Sequence, residues 1–182
     1  SWMAWQIPFV TDSTYTKARI TEIQAAALKA SLDENCVAVV PGFQGVTKNK
    51  RITTLGRGGS DTTAVALAAA LNAERCDIYT DVDGVYTTDP RIVAKARKID
   101  AVTYEEMLEM ASQGAKVLQT RSVALAMLYD VRLQVLSSFE NKPGTLVLNE
   151  EERLEHETVT GIAYSPDAVS YTHLTLPTNT PV

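Results

Sequence analysis

The sequence predicts an α/β fold, because β-rich apolar segments and helical segments alternate along the chain. Two further observations support this class. The apolar run at residues 36–40 is continuous rather than alternating, which is typical of a strand covered on both faces in a parallel sheet. A glycine-rich stretch at residues 55–61 leads directly into a helical segment. We therefore expect an α/β sandwich whose sheet is at least partly parallel.

The first part of the chain predicts strands flanking one helix. Residues 5–10 alternate in polarity, and Pro8 restricts their pairing, which favours an edge strand. Residues 17–23 are a weaker strand candidate, and residues 23–31 favour a helix by propensity. The run at residues 36–40 is the predicted buried strand, and a proline-glycine pair stops it.

The second part of the chain continues the alternation. Helices are predicted at residues 60–71, 104–112 and 116–129, and strands at residues 77–80, 133–136 and 145–148. Asp83-Gly84 and Asp89-Pro90 are turn signals between the first of these strands and the helix predicted at residues 104–112. Glu105 and Glu106 fall in the first turn of that helix, where the helix dipole favours acids.

Composition excludes several classes of protein. The chain has 182 residues, 45% of them hydrophobic and 21% charged, which suits one globular domain. Its net charge of -5, without a cluster of lysine and arginine, argues against a nucleic-acid partner. No apolar run is long enough to span a bilayer, and no signal peptide is visible, so we expect a cytoplasmic setting and no membrane partner. Cys36 and Cys76 are expected to be buried and reduced.

The glycine-rich stretch, residues 55–61, is the first candidate site and is named the glycine loop. Its three glycines allow the backbone to approach a ligand closely. Ser60 or Asp61 can cap the following helix, whose free N–H groups favour an anion, and Arg57 adds a planar cation suited to carboxylate or phosphate. The spacing matches neither a Walker loop nor a dinucleotide motif. From these residues alone, a plain tight turn is equally compatible.

A second candidate site is the 79–91 loop, which comes after a predicted strand, where open α/β sheets bind ligands. Its two tyrosines, three aspartates and Arg91 form a set that a nucleotide could use. From these residues alone, a polar hairpin with surface charges is the commoner explanation.

The third candidate is Lys116, which comes after Gly114-Ala115 at a predicted helix start. A lysine there adds charge to the positive end of the helix dipole and favours a bound anion, although a solvated surface lysine is the common case.

No protein metal site is expected, because no cysteine-histidine cluster has metal spacing. The two histidines, His156 and His173, lie in a linker and a tail. Together the three candidates favour an anion- or nucleotide-binding protein.

These motifs resemble those of a known family. Residues 53–64 and 80–91 resemble the signatures of aspartate kinases, in the amino-acid kinase superfamily. The segments 40–45, 114–118 and 137–146 match as well, and the resemblance runs from about residue 2 to residue 168. It implies a three-layer αβα sandwich with a largely parallel sheet, the C-terminal part of an amino-acid kinase fold.

The resemblance also implies a role for each motif. The loop that binds L-aspartate would consist of Arg57, Gly58, Gly59 and Ser60, with Arg57 clamping a carboxylate. Asp61 would organise catalytic lysines, and Lys116 would steady the transferring phosphoryl group. The implied contacts with ATP are Thr80, Asp81, Tyr86, Arg91, Lys116 and Val117. The implied reaction uses ATP and Mg²⁺ and yields 4-phospho-L-aspartate, on the route to lysine, threonine and methionine.

The sequence also departs from the family pattern. The Lys-Phe/Tyr-Gly-Gly motif of the family and its early glutamate region are absent. We therefore expect residues 1–148 to be the C-terminal portion of a catalytic domain, and residues 149–169 to be a linker and the start of a regulatory ACT-like domain, with a first strand at residues 160–164. Residues 170–182 are expected to be an unrelated or disordered tail. Such a truncated chain would be inactive alone, while its full-length parent would form a homo-oligomer or pair with a regulatory subunit.

Two alternatives remain open at this point. The chain could be a non-catalytic nucleotide-binding or assembly subunit, which the absent lysine motif would fit. It could also belong to another branch of the superfamily, such as the acetylglutamate or glutamate kinases, although the residues of the glycine loop favour aspartate.

Overall fold

The computed structural model describes residues 1–2, 6–115, 117–152 and 159–164. This part of the chain contains eight strands, four α-helices and a short 3₁₀ helix. In chain order they are β1 (Phe9–Thr11), β2 (Ile20–Ile23), α1 (Ala26–Asp33), β3 (Gln44–Thr47), β4 (Ile52–Thr54), α2 (Gly59–Leu71), β5 (Cys76–Thr80), β6 (Ala101–Thr103), α3 (Tyr104–Ser112), α4 (Thr120–Tyr129), β7 (Leu133–Ser137), β8 (Thr145–Leu148) and the 3₁₀ helix Glu150–Glu152. The predicted α/β class is confirmed.

The first sheet has the strand order β2-β1-β3-β4. β1 pairs in parallel with β3, and the other two pairings are antiparallel. The prediction that the first strand lies at an edge is therefore wrong, because β1 is flanked on both sides. Pro8 precedes the strand, which begins at Phe9, so its missing N–H removes no bond from the ladder, and its carbonyl accepts the N–H of Gln24 at 3.2 Å.

The second sheet has the strand order β5-β7-β8-β6. β5 pairs in parallel with β7 and β6 with β8, whereas β7 and β8 are antiparallel. Side chains from α2, α3 and α4 pack on this sheet in one core cluster that includes Val65, Tyr104, Met107, Val123, Leu133, Val135 and Val147. The strands predicted at residues 77–80, 133–136 and 145–148 are confirmed, as is the helix predicted at residues 60–71.

The strand predicted at residues 36–40 is absent. Val37 is 91% exposed and Val39 62% exposed, so this run is not covered on both faces. Among the described residues, the N–H of Trp2 donates to the carbonyl of Val39 at 2.8 Å, but no strand ladder forms beside the segment. Apolar β-branched residues are therefore not enough to make a strand here, because no neighbouring strand supplies the hydrogen bonds. Cys36, predicted to be buried, is exposed, whereas Cys76 is buried and both thiols are free.

Helix boundaries depart from the predictions in two places. α1 begins at Ala26 rather than at residue 23, and α4 begins at Thr120 rather than at residue 116. Residues 117–119 therefore precede that helix. By contrast α3 spans the predicted residues, and Thr103 with Glu106 forms a capping box at its start.

The segment at residues 160–164 is not a strand, contrary to the prediction. Its backbone meets the 79–91 loop instead of a sheet, since the N–H of Ile162 donates to the carbonyl of Thr87 at 2.7 Å. Thr160 is 7% exposed, and its hydroxyl donates to the carboxylate of Glu106. The predicted tail at residues 170–182 lies outside the described residues. No helix in the described ranges is both long enough and apolar enough to cross a membrane.

Candidate functional site

The glycine loop adopts a backbone that requires glycine at two positions. Gly56 has a φ of 78° and Gly58 a φ of 67°, both in the left-handed region. The space around Gly58 is closed as well, because a Cβ atom there would lie 2.1 Å from Cγ of Gln119. Gln119 immediately precedes α4, so the glycine loop and the start of α4 lie in contact.

Helix α2 begins directly from this loop. Gly58 is the N-cap residue, and no side chain caps the helix, so the predicted cap by Ser60 or Asp61 is wrong. Both residues lie inside the first turn, where a side chain no longer has the capping geometry. The N–H groups of Ser60 and Asp61 have no acceptor among the described residues, whereas that of Gly59 donates to Gly56 at 3.0 Å. Two donors at the positive end of α2 are therefore open to an anion.

The polar side chains of the loop have no partners within the described ranges. Arg57 and Ser60 are exposed, and neither side chain forms a hydrogen bond or an ion pair with a described residue. A free guanidinium next to two free N–H groups suits a carboxylate or a phosphate.

Asp61 is half-buried, and burial raises the pKa of its carboxyl above the ordinary value. Burial also raises the pKa of the Cys76 thiol to about 11, with smaller contributions from the charges of Asp77 and Asp61. No described residue gives Asp61 a hydrogen bond or an ion pair. A half-buried carboxylate of this kind is stabilised if a cation approaches it.

Residues from three other segments hold the glycine loop in place. The N–H of Leu55 donates to the carbonyl of Phe43 at 3.0 Å, and the N–H of Phe43 donates to the hydroxyl of Thr63 at 3.1 Å. Arg121 of α4 donates to the carbonyl of Leu55 at 2.7 Å. No role was predicted for Phe43, Thr63, Gln119 or Arg121, since nothing in their spacing places them beside residues 55–61.

The second group of predicted residues lies where β5 and β7 end. Because these strands are parallel, their carboxyl ends meet, and the N–H of Ser138 donates to the carbonyl of Thr80 at 2.8 Å. The hydroxyl of Thr80 donates to Asp81 at 3.1 Å, and Asp81 is exposed. The 79–91 loop and the loop at residues 138–144 therefore share one end of the sheet, as expected for a ligand site in an open α/β sheet.

Tyr86 forms a hydrogen bond with Asp83. Its hydroxyl donates to the Asp83 carboxylate at 3.0 Å, and Nζ of Lys98 lies 3.5 Å from the other carboxylate oxygen. Burial acts to raise the pKa of Asp83, but the hydrogen bond from Tyr86 and the charge of Lys98 outweigh it, and the pKa is lowered. Lys98 also donates to the carbonyl of Pro143 at 2.6 Å, which links the two loops. Lys98 stands outside the recognised motifs and was missed.

Arg91, predicted to contact ATP, binds a residue of its own loop. Its guanidinium makes two hydrogen bonds to Asp89, of 3.0 and 2.8 Å, and the side chain is exposed. An exposed ion pair of this kind contributes little to stability, so a phosphate can replace Asp89 as the partner at small cost. Val117 is half-buried against the main core cluster, and Lys116 lies outside the described residues.

The structure thus arranges the predicted residues in two groups. Residues 57–61 lie together with the start of α4, and residues 80–91 lie together with the 138–144 loop. Among the described residues, no hydrogen bond or ion pair joins the two groups. The same residues contain no cluster of three histidine, cysteine or acidic side chains that could hold a metal ion.

Comparison with known proteins decides which family this architecture represents. The model of the amino acid kinase family matches residues 4–137, well over half of the chain. The chain belongs to the amino acid kinase family. Within this family, its predicted resemblance to the aspartate kinases is confirmed by its relatives.

The relatives cover most of the chain but extend well beyond it. The chain is 58% identical over 168 residues to an aspartate kinase of Stutzerimonas stutzeri, a match covering 92% of the chain and 41% of that relative. It is 53% identical over 168 residues to an aspartokinase of Geobacillus stearothermophilus, again covering 92% of the chain and 41% of the relative. This amino acid kinase chain therefore spans about 41% of the length of these two relatives.

A solved structure agrees with the sequence comparison. Aspartokinase III of E. coli, in complex with aspartate and ADP, superposes with a TM-score of 0.74 at 41% sequence identity. The match covers 81% of this chain and 34% of the E. coli chain. The two four-stranded sheets and their helices are therefore an amino acid kinase fold.

Proposed function

We propose that the protein phosphorylates the side-chain carboxylate of L-aspartate with ATP, giving 4-phospho-L-aspartate and ADP. An oxygen of the carboxylate attacks the γ-phosphorus of ATP, and the bond between that phosphorus and the β–γ bridging oxygen breaks. The relative from S. stutzeri is named an aspartate kinase, and the similar E. coli structure contains aspartate and ADP.

The observation that carries the proposal is that one cation and two backbone donors of the glycine loop have no partner among the described residues. Arg57 is exposed without a partner among the described residues, and the open N–H groups of Ser60 and Asp61 lie at the start of α2. Guanidinium and backbone N–H groups together recognise a carboxylate through charge-assisted hydrogen bonds. We assign the binding of L-aspartate to Arg57 and the loop backbone at Gly58, Gly59 and Ser60.

Asp61 and Lys116 are the proposed catalytic residues. Asp61 is half-buried without a described partner, so a lysine ammonium close to it would relieve the cost of burying its charge. Lys116 would supply positive charge to the phosphoryl group as it transfers. Phosphoryl transfer depends mainly on positioning and on neutralising charge, which is what these two side chains would provide.

The nucleotide is assigned to the end of the second sheet where β5 and β7 finish, to Thr80, Asp81, Tyr86, Arg91, Lys116 and Val117. Asp81 is exposed, and the surface pair of Arg91 with Asp89 can open toward a phosphate. Mg²⁺ enters this proposal with the nucleotide, since it usually binds through substrate phosphates and one or two carboxylates rather than in an all-protein cage. Asp81 is the carboxylate we assign to it.

The wider setting is part of the same proposal. The product would enter the synthesis of lysine, threonine and methionine in the cytoplasm. Residues 1–148 would form part of the catalytic unit, and residues 149–169 would lead toward a regulatory unit in a homo-oligomeric or paired assembly. We expect the 182-residue chain itself to turn over little, because the Lys-Phe/Tyr-Gly-Gly motif is not in it.

Ligand binding tests the function independently of turnover. Isothermal titration of the 182-residue chain with L-aspartate, L-glutamate and N-acetyl-L-glutamate, each with and without ADP and Mg²⁺, compares the candidate substrates. The proposal expects saturable binding of L-aspartate and of ADP, with the other two acids binding at least about tenfold more weakly, a difference of about 1.4 kcal/mol. Stronger binding of N-acetyl-L-glutamate than of L-aspartate would favour another branch of the family.

Turnover is measured separately by trapping the product. With ATP, Mg²⁺, L-aspartate and hydroxylamine, an active enzyme accumulates aspartyl hydroxamate. We expect no product above the background without enzyme, and rapid hydroxamate formation would contradict the expected low activity of this chain.

A further inference from the structure

We propose that Arg121 is a positioning residue that fixes the glycine loop in the conformation that binds the substrate carboxylate. The proposal rests on the proposed function for the identity of that substrate. Arg121 lies in α4, far in sequence from the glycine loop whose backbone it contacts.

The guanidinium of Arg121 joins two backbone segments. One terminal nitrogen donates to the carbonyl of Leu55 and the other to the carbonyl of Ala18, each at 2.7 Å. Ala18 is fully buried and its N–H donates to the carbonyl of Thr54 at 3.0 Å. The arginine therefore connects α4 to the residue before Gly56 and to the turn that packs beside it.

These bonds act on the backbone of the loop itself. The peptide that joins Leu55 to Gly56 carries the carbonyl that Arg121 holds, and Gly56 then adopts its left-handed conformation. On the N-terminal side of that peptide, the side chain of Leu55 is 1% exposed and its N–H donates to the carbonyl of Phe43. With both sides held, the orientation of this peptide is fixed, and so is the direction in which the loop leaves toward Arg57.

The charge of Arg121 is placed to assist an anion. The side chain is half-buried, its two described acceptors are neutral carbonyls, and it forms no ion pair with any described residue. A cation without a compensating carboxylate raises the potential around it more in a partly buried site than in water. Arg121 therefore adds to the positive field at the loop without binding the ligand.

Lysine cannot reproduce this arrangement. Arg121 uses both arms of a planar fork to reach carbonyls in two segments, whereas an ammonium is a single point donor on a flexible stem. Arg121→Lys keeps the charge and loses one bond, and Arg121→Gln loses the charge and the fork. A positioning role predicts a graded series, with the lysine variant between the wild type and the glutamine variant.

Hydrogen exchange and titration together test the proposal. Because Arg121→Gln loses both hydrogen bonds of the fork, it is expected to speed amide exchange at Leu55 and Gly59 by about tenfold or more in the 182-residue chain. The affinity for L-aspartate should fall by about tenfold and that for ADP by less than about twofold. Arg121→Lys should lie between, and Arg75→Gln, an exposed arginine paired with Asp77, should change neither measurement.

The possible results separate the positioning role of Arg121 from the proposed binding of L-aspartate. Unchanged exchange at Leu55 and Gly59 overturns the positioning role, and so does an equal loss of L-aspartate and ADP binding, which would mark a general structural role. If Arg121→Gln does not fold, the same comparison is made with Arg121→Lys. Faster loop exchange in a protein whose wild type binds no L-aspartate supports the positioning of the loop while contradicting the proposed function.

Discussion

A Cβ atom on Gly58 would lie 2.1 Å from Cγ of Gln119, so the glycine loop and the residue before α4 are in direct contact. Both sides of this contact belong to segments with a proposed role in phosphoryl transfer. Gly58 lies in the proposed aspartate loop, and Gln119 stands three residues after Lys116 in the sequence. The contact therefore places the segment that follows Lys116 in sequence against the proposed aspartate loop.

Gly58→Ala is expected to destabilise the protein. A non-glycine residue in the left-handed region costs about 1–2 kcal/mol, and the clash with Gln119 adds to that cost. The midpoint of urea unfolding should therefore fall. The matched control is the double variant with Gln119→Ala, which removes the closest atom but leaves Cβ of residue 119 at 2.7 Å. It should recover part of the loss, and an unchanged midpoint in Gly58→Ala alone would show that the loop does not pack against Gln119.

Asp61→Asn is expected to stabilise the ligand-free protein at neutral pH. Burial raises the folded-state pKa of Asp61 above its ordinary value, so ionisation is more costly in the folded than in the unfolded state. The wild type is therefore most stable below the unfolded pKa and loses stability as the pH rises through the folded pKa. Urea midpoints should be higher in Asp61→Asn at pH 7, and the difference should shrink as the pH approaches the ordinary pKa of 3.8.

Asp12→Asn provides the control of opposite sign. Backbone hydrogen bonds from Thr14 and Arg19 lower the pKa of Asp12, so its charge contributes stability above the unfolded pKa that is lost as the pH falls. The asparagine variant should be less stable than the wild type at pH 7. A urea midpoint at pH 7 that is lower in Asp61→Asn than in the wild type, as expected for Asp12→Asn, would refute the assignment of a burial cost to Asp61.

The two thiols are expected to react at very different rates. Cys76 is buried with a pKa of about 11, so little thiolate is present at pH 8, whereas Cys36 is exposed. Labelling with a thiol-reactive disulfide reagent should modify Cys36 quickly and Cys76 only in denaturant. Cys36→Ser serves as the control, since it should remove the fast phase entirely. A fast phase that persists in this variant would place Cys76 at the surface.

Thr160→Val is expected to loosen the segment at residues 159–164. The threonine hydroxyl donates to one oxygen of Glu106, whose other oxygen accepts the N–H of Thr103 at the start of α3. A hydrogen bond to a charged group contributes about 1.5–3 kcal/mol, and its loss should speed amide exchange at Ile162. Thr160→Ser keeps the hydroxyl and should exchange like the wild type. Slow exchange at Ile162 in the valine variant would show that the hydroxyl does not hold the segment.

The sequence allowed the α/β class and most of the second sheet to be predicted, because its strands and helices carry strong local patterns. β7 and β8 are short apolar runs beside clear turns, and α3 begins with acids in its first turn. β3, β4 and β6 were missed, since they are three or four residues long and rich in threonine and glycine. Such strands form through pairing with partners elsewhere in the chain, which local patterns do not report.

The candidate functional site was also predicted only in part. Arg57 and the glycines were predicted because three glycines and an arginine directly before a helical segment are visible in the sequence, and the left-handed conformations of Gly56 and Gly58 agree with that pattern. Arg121 and Gln119 were missed, since their role depends on how α4 packs on the loop rather than on spacing. The run at residues 36–40 shows the converse limit, since its strong β propensity produced no strand without a ladder partner.

The central claim is that Arg57 binds the carboxylate of L-aspartate. Its most direct test is isothermal titration of L-aspartate and of ADP with Mg²⁺ into the wild-type chain, Arg57→Ala and the exposed-arginine control Arg75→Ala. We expect Arg57→Ala to weaken L-aspartate binding by about tenfold or more, the loss of a charge-assisted hydrogen bond, and to leave ADP binding within about twofold. Arg75→Ala should match the wild type for both ligands. Equal affinity for L-aspartate in Arg57→Ala and the wild type, or an equal loss for both ligands, would contradict this claim.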